Sequence, residues 1–357
     1  MSAEKTPCVR QHDLAPSEAA EPAREGDLLG RTAIVTGANS GIGFECARQL
    51  FGRGLSKLIL AVRDEKKGVA TAETIASGHE SWAKAVEVWH LDYCTYDSII
   101  SFAARTKSLE NLDIVVLNAG VYRLSRRILP TGHEEGLQVN YLSTALLAML
   151  LLPVLKSKTR SETQPGRLTF VSTSIAAWSK FRSRDACPIL ASLDEEVPGK
   201  RFDHHQHYCT TKLLAQLFLV ELTQRVPSSV AIVNSTNPGL CYGSRLSRDG
   251  VSTIDFNYKP GKAGEDGTLH GFIAGLIFRV FGQPCAVGAR ALVDATVQHG
   301  AEVHGQYLVN GKTAQFAPVI YTPEGRLMAH YLWQETMNEF QAIGIETLVQ
   351  DLSHGNG

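Results

Sequence analysis

The sequence has no surplus of charge. Thirty-five Lys and Arg meet 36 Asp and Glu, for a net charge of -1. That removes the electrostatic case for nucleic acid or an anionic membrane as a main partner. Cysteine is sparse: Cys8, Cys46, Cys94, Cys187, Cys209, Cys241 and Cys285 form no C-x-x-C pair, and the count is odd. Neither a disulfide framework nor a zinc ribbon fits, and scattered reduced thiols in a cytoplasmic protein are expected. No apolar run is comfortable as a membrane span; Leu142 to Leu155 is the most apolar stretch and is short for one. No secretory pattern is visible. Met1 to about Gly26 is polar and rich in Ala, Glu and Pro, so residues 1–26 read as a mobile tail. There is no solenoid-type repeat. What remains is a 357-residue chain that is 44% hydrophobic, ample for one large α/β domain, expected over 27–357.

The chain is organised around Thr36-Gly37-Ala38-Asn39-Ser40-Gly41-Ile42-Gly43. Ala33-Ile34-Val35 leads in as a buried strand, and a helical pattern from Phe44 to about Phe51 follows. Glycine permits the tight turn and close backbone approach, and a helix N-terminus offers free N–H groups to a pyrophosphate. Lys57 to Val62 supplies the second strand that a dinucleotide site needs. Arg63 and Asp64 end it, where such a fold meets the adenosine ribose. An acid there accepts the 2′-OH of NAD, whereas the Arg63 guanidinium suits the 2′-phosphate of NADP.

Four more strands follow before the C-terminal part. Val86 to Leu91 ends at Asp92, and Asp113 to Leu117 runs into Asn118-Ala119-Gly120. Arg167 to Ser174 ends in three hydroxyls, Ser172, Thr173 and Ser174, and Val230 to Asn234 leads to Asn237-Pro238-Gly239. Gly305 to Val309 is a last strand. Helices are expected at Glu65–Ser77, Glu134–Lys156, Val287–His299 and Met328–Phe340, and one long helix opens at Tyr208. Asn140 lies in a largely apolar helix and needs partners there. Tyr208-Cys209-Thr210-Thr211-Lys212 sets a phenol and an ammonium on one helical face. The insertion-like segment 178–207 carries Trp178, Phe181 and the run His204, His205 and His207. That spacing matches no metal signature, so a substrate-side loop is expected and no metal. Residues 242–288, with the apolar run Phe272 to Phe281, read as a variable substrate lid, with a membrane-surface helix as the alternative.

Together these motifs resemble the short-chain dehydrogenase/reductase family over about residues 30 to 312. The resemblance implies a single doubly wound Rossmann fold: a mostly parallel, seven-stranded sheet with helices on both faces. It implies an NADP (NADPH) site built from Gly37, Asn39, Ser40, Gly41, Ile42, Gly43, Arg63, Asp92, Asn118, Tyr208, Lys212, Pro238, Gly239 and Ser244. Asp92 would meet the adenine amino group, and Ser244 a cofactor phosphate or amide. Tyr208 would be the general acid/base and Asn140 would hold a proton-relay water. Lys212 would hold the ribose and, together with the positive nicotinamide ring, lower the phenol pKa from its free value of ~10. One of Ser172, Thr173 and Ser174 would polarise the carbonyl. An ungapped match to the family's Val-Ser-Ser ending selects Thr173; one step of slip selects Ser172 or Ser174. If the strand stays regular, Ser172 and Ser174 share one face and Thr173 takes the other.

The wide spacing from these hydroxyls to Tyr208 resembles retinol-dehydrogenase-like members. Segments 237–248 and 303–307 look more like fungal members that serve secondary metabolism, and we lean to those. The implied activity interconverts a ketone or aldehyde and an alcohol on a bulky, largely apolar small molecule. A retinoid- or steroid-type lipid alcohol dehydrogenase, and a non-catalytic NADP-binding sensor or scaffold, are the alternatives. The family also implies a homodimer or homotetramer through the two long helices.

Overall fold

Short apolar strands that are buried on both faces are the material of a parallel sheet. The computed structural model describes residues 28–77, 85–159, 164–181, 188–196, 198–199, 201–244, 246 and 282–354. The expected N-terminal tail and most of the expected lid, including Phe272 to Phe281, lie outside the described residues. The first half runs β1 (Thr32–Thr36), α1 (Gly41–Phe51), β2 (Lys57–Val62), α2 (Glu65–Ala76), β3 (Val86–His90), α3 (Tyr96–Thr106) and β4 (Ile114–Leu117). Then come α4 (Glu135–Lys158), β5 (Gly166–Val171), α5 (Ile189–Asp194), α6 (His204–Arg225) and β6 (Ala231–Asn237). A two-stranded pair, β7 (Cys241–Tyr242) and β8 (Gln283–Pro284), precedes α7 (Cys285–Val297), β9 (Tyr307–Val309), β10 (Lys312–Ala314), α8 (Pro323–Glu339) and α9 (Ile345–His354).

The main sheet has eight strands in the order β10-β9-β6-β5-β4-β1-β2-β3. Seven are parallel, as expected; β10 adds an antiparallel edge through a two-residue turn at Asn310 and Gly311, both at positive φ. That Asn-Gly pair is a strong hairpin signal which the sequence reading passed over. Alternate strand residues feed two cores. Ala33, Val35, Leu58, Leu60, Ile114 and Val116 pack with α1 and α7 on one face. Ile34, Ile59 and Val115 pack with α3, α4 and α6 on the other.

The two long helices are buried nearly all round. An 18-residue window of Glu135–Lys158 is apolar enough to cross a membrane, but 89% of it is buried inside the protein, which makes α4 a core helix. On its outer side lie the chain's own α8 and α9. Thr336 on α8 meets the Tyr141 hydroxyl at 2.6 Å, and Trp333 stacks on Phe218 of α6 at 5.6 Å between centroids. The C-terminal helices thus pack on the two long helices from that side.

The chain adds β2 and β3 on one side of β1, then returns to place β4 on the other. That reversal opens a crevice at the carboxyl ends of β1 and β4, where an open α/β sheet binds its ligand.

Candidate active site

The glycine turn leaves β1 directly into α1. Gly37 and Gly41 have φ of 65° and 59°, a region that side chains avoid. The helix begins at Gly41, three residues earlier than expected, so Gly41, Ile42 and Gly43 form its first turn. Ser40 makes no side-chain cap, which leaves that turn's N–H groups to face the crevice. Asn118 closes the turn from β4: its Nδ2 donates to the Thr36 carbonyl at 2.8 Å and more weakly to that of Gly37. A Cβ on Gly43 would collide with that amide and come within 2.6 Å of the Gly37 carbonyl.

Two adjoining cavities, of about 860 and about 410 Å³, meet at Gly37, Asn39, Ser40, Ala119 and Gly120. The larger has Arg63, Asp64 and Asp92 in its wall, the residues expected near the ribose and adenine. Arg63 is exposed, while Asp64 is engaged. It accepts from the Lys67 amide at 3.1 Å, caps α2, and pairs with Lys67 Nζ at 2.7 Å. The Lys67 contacts hold its carboxyl below the usual range. Asp92 accepts the Cys94 amide at 3.0 Å in a side-chain turn.

The smaller cavity gathers the remaining predicted residues except Asn140: Asn118, the three hydroxyls, Tyr208, Lys212, Pro238, Gly239 and Ser244. β5 ends at Val171, so the regular alternation assumed for residues 172–174 does not hold, and all three hydroxyls line the cavity. They differ in commitment. Ser172 Oγ accepts from Gln216 Nε2 at 3.0 Å, and Thr173 Oγ1 takes the Ile175 amide at a long 3.4 Å at the head of a short helical turn, Ser174–Trp178. Among the described residues, Ser174 Oγ accepts a single long contact, 3.5 Å, from Asn237 Nδ2.

Asn140 sits on a π-type turn of α4, Gln138–Leu142. Its Oδ1 accepts the Val121 amide at 2.8 Å, while Nδ2 donates to the Val121 carbonyl and to Thr211 Oγ1. Both amide protons are used, and one Oδ1 lone pair is left for a water.

Lys212 Nζ donates to the Val171 carbonyl at 3.2 Å and stands 6.0 Å from the Tyr208 ring centroid. Burial lowers its pKa to about 8 and pushes the Tyr208 phenol well above its ordinary value. The expected lowering of Tyr208 by Lys212 is thus absent from the protein alone: desolvation disfavours the charged form of both groups.

The three histidines diverge. His204 meets the Tyr122 ring edge-on, His205 stacks on Trp178, and His207 bonds Glu134 at 2.5 Å. Trp178 and His205 line the cavity. Tyr122, Ile175, Leu240 and Leu246 line it too, and none was singled out from the sequence. Tyr122 carried a usable signal, standing two residues after Asn118-Ala119-Gly120. The Glu134–His207 pair spans 73 positions, so nothing local announced it.

The comparisons agree with this geometry. A family model described as short chain dehydrogenase matches residues 31–182. The short-chain dehydrogenase fogG of Aspergillus ruber is 41% identical, over 92% of this chain and 90% of its own length. The short chain dehydrogenase/reductase mfmJ of Annulohypoxylon moriforme is 38% identical, over 93% and 90%. Both relatives are fungal, as the lean towards fungal members anticipated. Among solved structures, an uncharacterised protein of Mycobacterium paratuberculosis shares the fold at a TM-score of 0.59 and 23% identity, over 88% of this chain and 94% of its own. With two fungal relatives aligned over nine-tenths of its length, the chain belongs to the short-chain dehydrogenase/reductase family, oxidoreductases that act on CH–OH groups with a nicotinamide cofactor.

Proposed function

We propose that this protein is an NADP-dependent reductase or dehydrogenase that interconverts a carbonyl group and an alcohol on a bulky, largely apolar small molecule of fungal secondary metabolism. The observation that carries the reading is the convergence of Tyr208, Lys212 and Ser174 on one cavity that adjoins the glycine turn. The residues fit the cofactor: an uncapped helix start for the pyrophosphate, and a crowded Gly43 where a Cβ would force the turn to shift. Arg63 is exposed in the wall of the larger cavity, where its guanidinium suits a 2′-phosphate, while Asp64 is drawn away by Lys67.

When bound, the nicotinamide supplies or accepts the hydride and, oxidised, adds a positive charge beside the phenol. In the reduction, Tyr208 donates its proton to the carbonyl oxygen as hydride arrives at the carbon; in the oxidation the phenolate takes the proton back. Ser174 holds the carbonyl oxygen with its O–H: its oxygen accepts a long 3.5 Å contact from Asn237, whereas the Ser172 oxygen is held by Gln216 at 3.0 Å. Lys212 would hold the ribose hydroxyls, and Asn140 fixes the loop after β4 through Val121, where its Oδ1 could also accept from a water.

Steady-state oxidation of NADPH with a panel of bulky aldehydes and ketones tests the assignment. Tyr208→Phe should cut kcat by about 10²–10⁴ with NADPH binding retained. Ser174→Ala should cost more than Ser172→Ala. Undiminished turnover by Tyr208→Phe would remove the reading.

A further inference from the structure

The substrate end of the smaller cavity has aromatic walls contributed by three chain segments. Trp178 closes the short turn that follows the strand-end hydroxyls. His205 lies one helical turn before Tyr208 and stacks on Trp178, with centroids 5.9 Å apart and planes 30° from parallel. Tyr122 comes from the loop after β4 and meets the Tyr208 ring edge-on at 5.1 Å. All three line the cavity that holds Tyr208 and Ser174.

This wall is pre-built. Gln206 clamps the Trp178 segment to α6: its Nε2 donates to the Trp178 carbonyl at 3.2 Å, and its Oε1 accepts the Lys180 amide at 2.9 Å. The Ser179 and Thr210 hydroxyls add a second tie at 2.9 Å. Among the described lining residues there is no Asp, Glu or Arg, and Lys212 is the one cation. Burial also lowers the His205 pKa, which favours the uncharged ring. Aromatic rings gain from offset-stacked and edge-to-face contacts beyond what apolar area alone provides.

We infer that the substrate is an uncharged carbonyl compound or alcohol whose reacting carbon is borne on a flat, conjugated ring system, and that Trp178 with His205 forms the stacking face selecting it. The inference rests on the proposed reaction for the orientation of the ring, and its test is independent of turnover.

The test is calorimetric binding of 2-naphthylmethanol and decahydro-2-naphthylmethanol to the protein saturated with NADPH. The two share one carbon skeleton, and an alcohol cannot react with reduced cofactor. The wild type should bind the aromatic alcohol at least about fivefold more tightly. Trp178→Leu should reduce that preference to less than about twofold, and Trp178→Phe should restore most of it. An equal affinity for both alcohols in the wild type, a preference untouched by Trp178→Leu, or no binding of either alcohol overturns the inference. A protein that shows the aromatic preference yet reduces no aldehyde would sink the proposed reaction and leave this selection standing.

Discussion

His133 joins three parts of the molecule that are far apart in sequence, and its titration should be visible in stability. Nδ1 stands 2.6 Å from Asp194 Oδ2 at the end of α5, and Nε2 stands 3.2 Å from Glu339 Oε1 at the end of α8. The side chain is 12% exposed, so solvent screens these contacts little. Burial works against its charge, but the two carboxylates overcome it and raise the pKa to about 9. The folded value therefore lies above the unfolded value of about 6.5, so the stabilisation is complete below that pH and is lost as pH rises through about 9. The shift corresponds to about 3 kcal/mol near pH 6, about 2 kcal/mol near pH 7.5 and almost nothing near pH 9.5. For a chain of this size, about 3 kcal/mol is about 4 °C in Tm. Thermal melts of wild type and His133→Gln across those pH values isolate the effect, since other titrating groups are common to both. The gap between the two proteins should be widest in acid and close by about pH 9.5. A gap that stays constant with pH refutes the ion-pair account.

Two further substitutions test the framework of the site. Gly43→Ala places a Cβ against the Asn118 amide and the Gly37 carbonyl; since the latter is backbone, the turn must move. We expect a loss of about 1–3 kcal/mol, read by NADPH titration as a ten- to hundredfold weaker Kd at the upper end, with the fold retained by circular dichroism. Glu335 on α8 accepts the Ile189 and Leu190 amides at 2.7 and 2.8 Å and so caps α5 from a distance. Glu335→Ala should cost about 2 kcal/mol in urea unfolding, with Glu335→Gln recovering part of it.

Much of the fold was legible because it rests on local signals. β1, β2 and β4 are apolar runs that a parallel sheet buries on both sides, and the glycine turn announces a helix start against a strand. The Y-x-x-x-K spacing put Tyr208 and Lys212 on one helical face, and the structure brings both to one cavity. What escaped depends on contacts that sequence spacing does not encode. The end of β5 at Val171 and the helical turn after it decide how the three hydroxyls are presented, and no period could show where the strand stops. The π-type turn at Asn140 is set by its bonds to Val121 and Thr211. The network of His133, Asp194 and Glu339 spans 61 positions on one arm and more on the other. The burial of α4 and α6 beneath α8 and α9 likewise shows only when the C-terminal helices are seen folded back onto them.

The cofactor assignment concentrates the whole account in one pair of side chains. Arg63 is exposed in the wall of the larger cavity, and Asp64 is turned to Lys67 and the start of α2. Fluorescence titration of the purified protein with NADPH and NADH, repeated on Arg63→Ala, reads that arrangement directly. We predict tighter binding of NADPH, a loss of about tenfold or more on Arg63→Ala for NADPH only, and little change for NADH. Tighter binding of NADH would mean that Asp64 meets the ribose, and binding of neither would contradict the oxidoreductase reading itself.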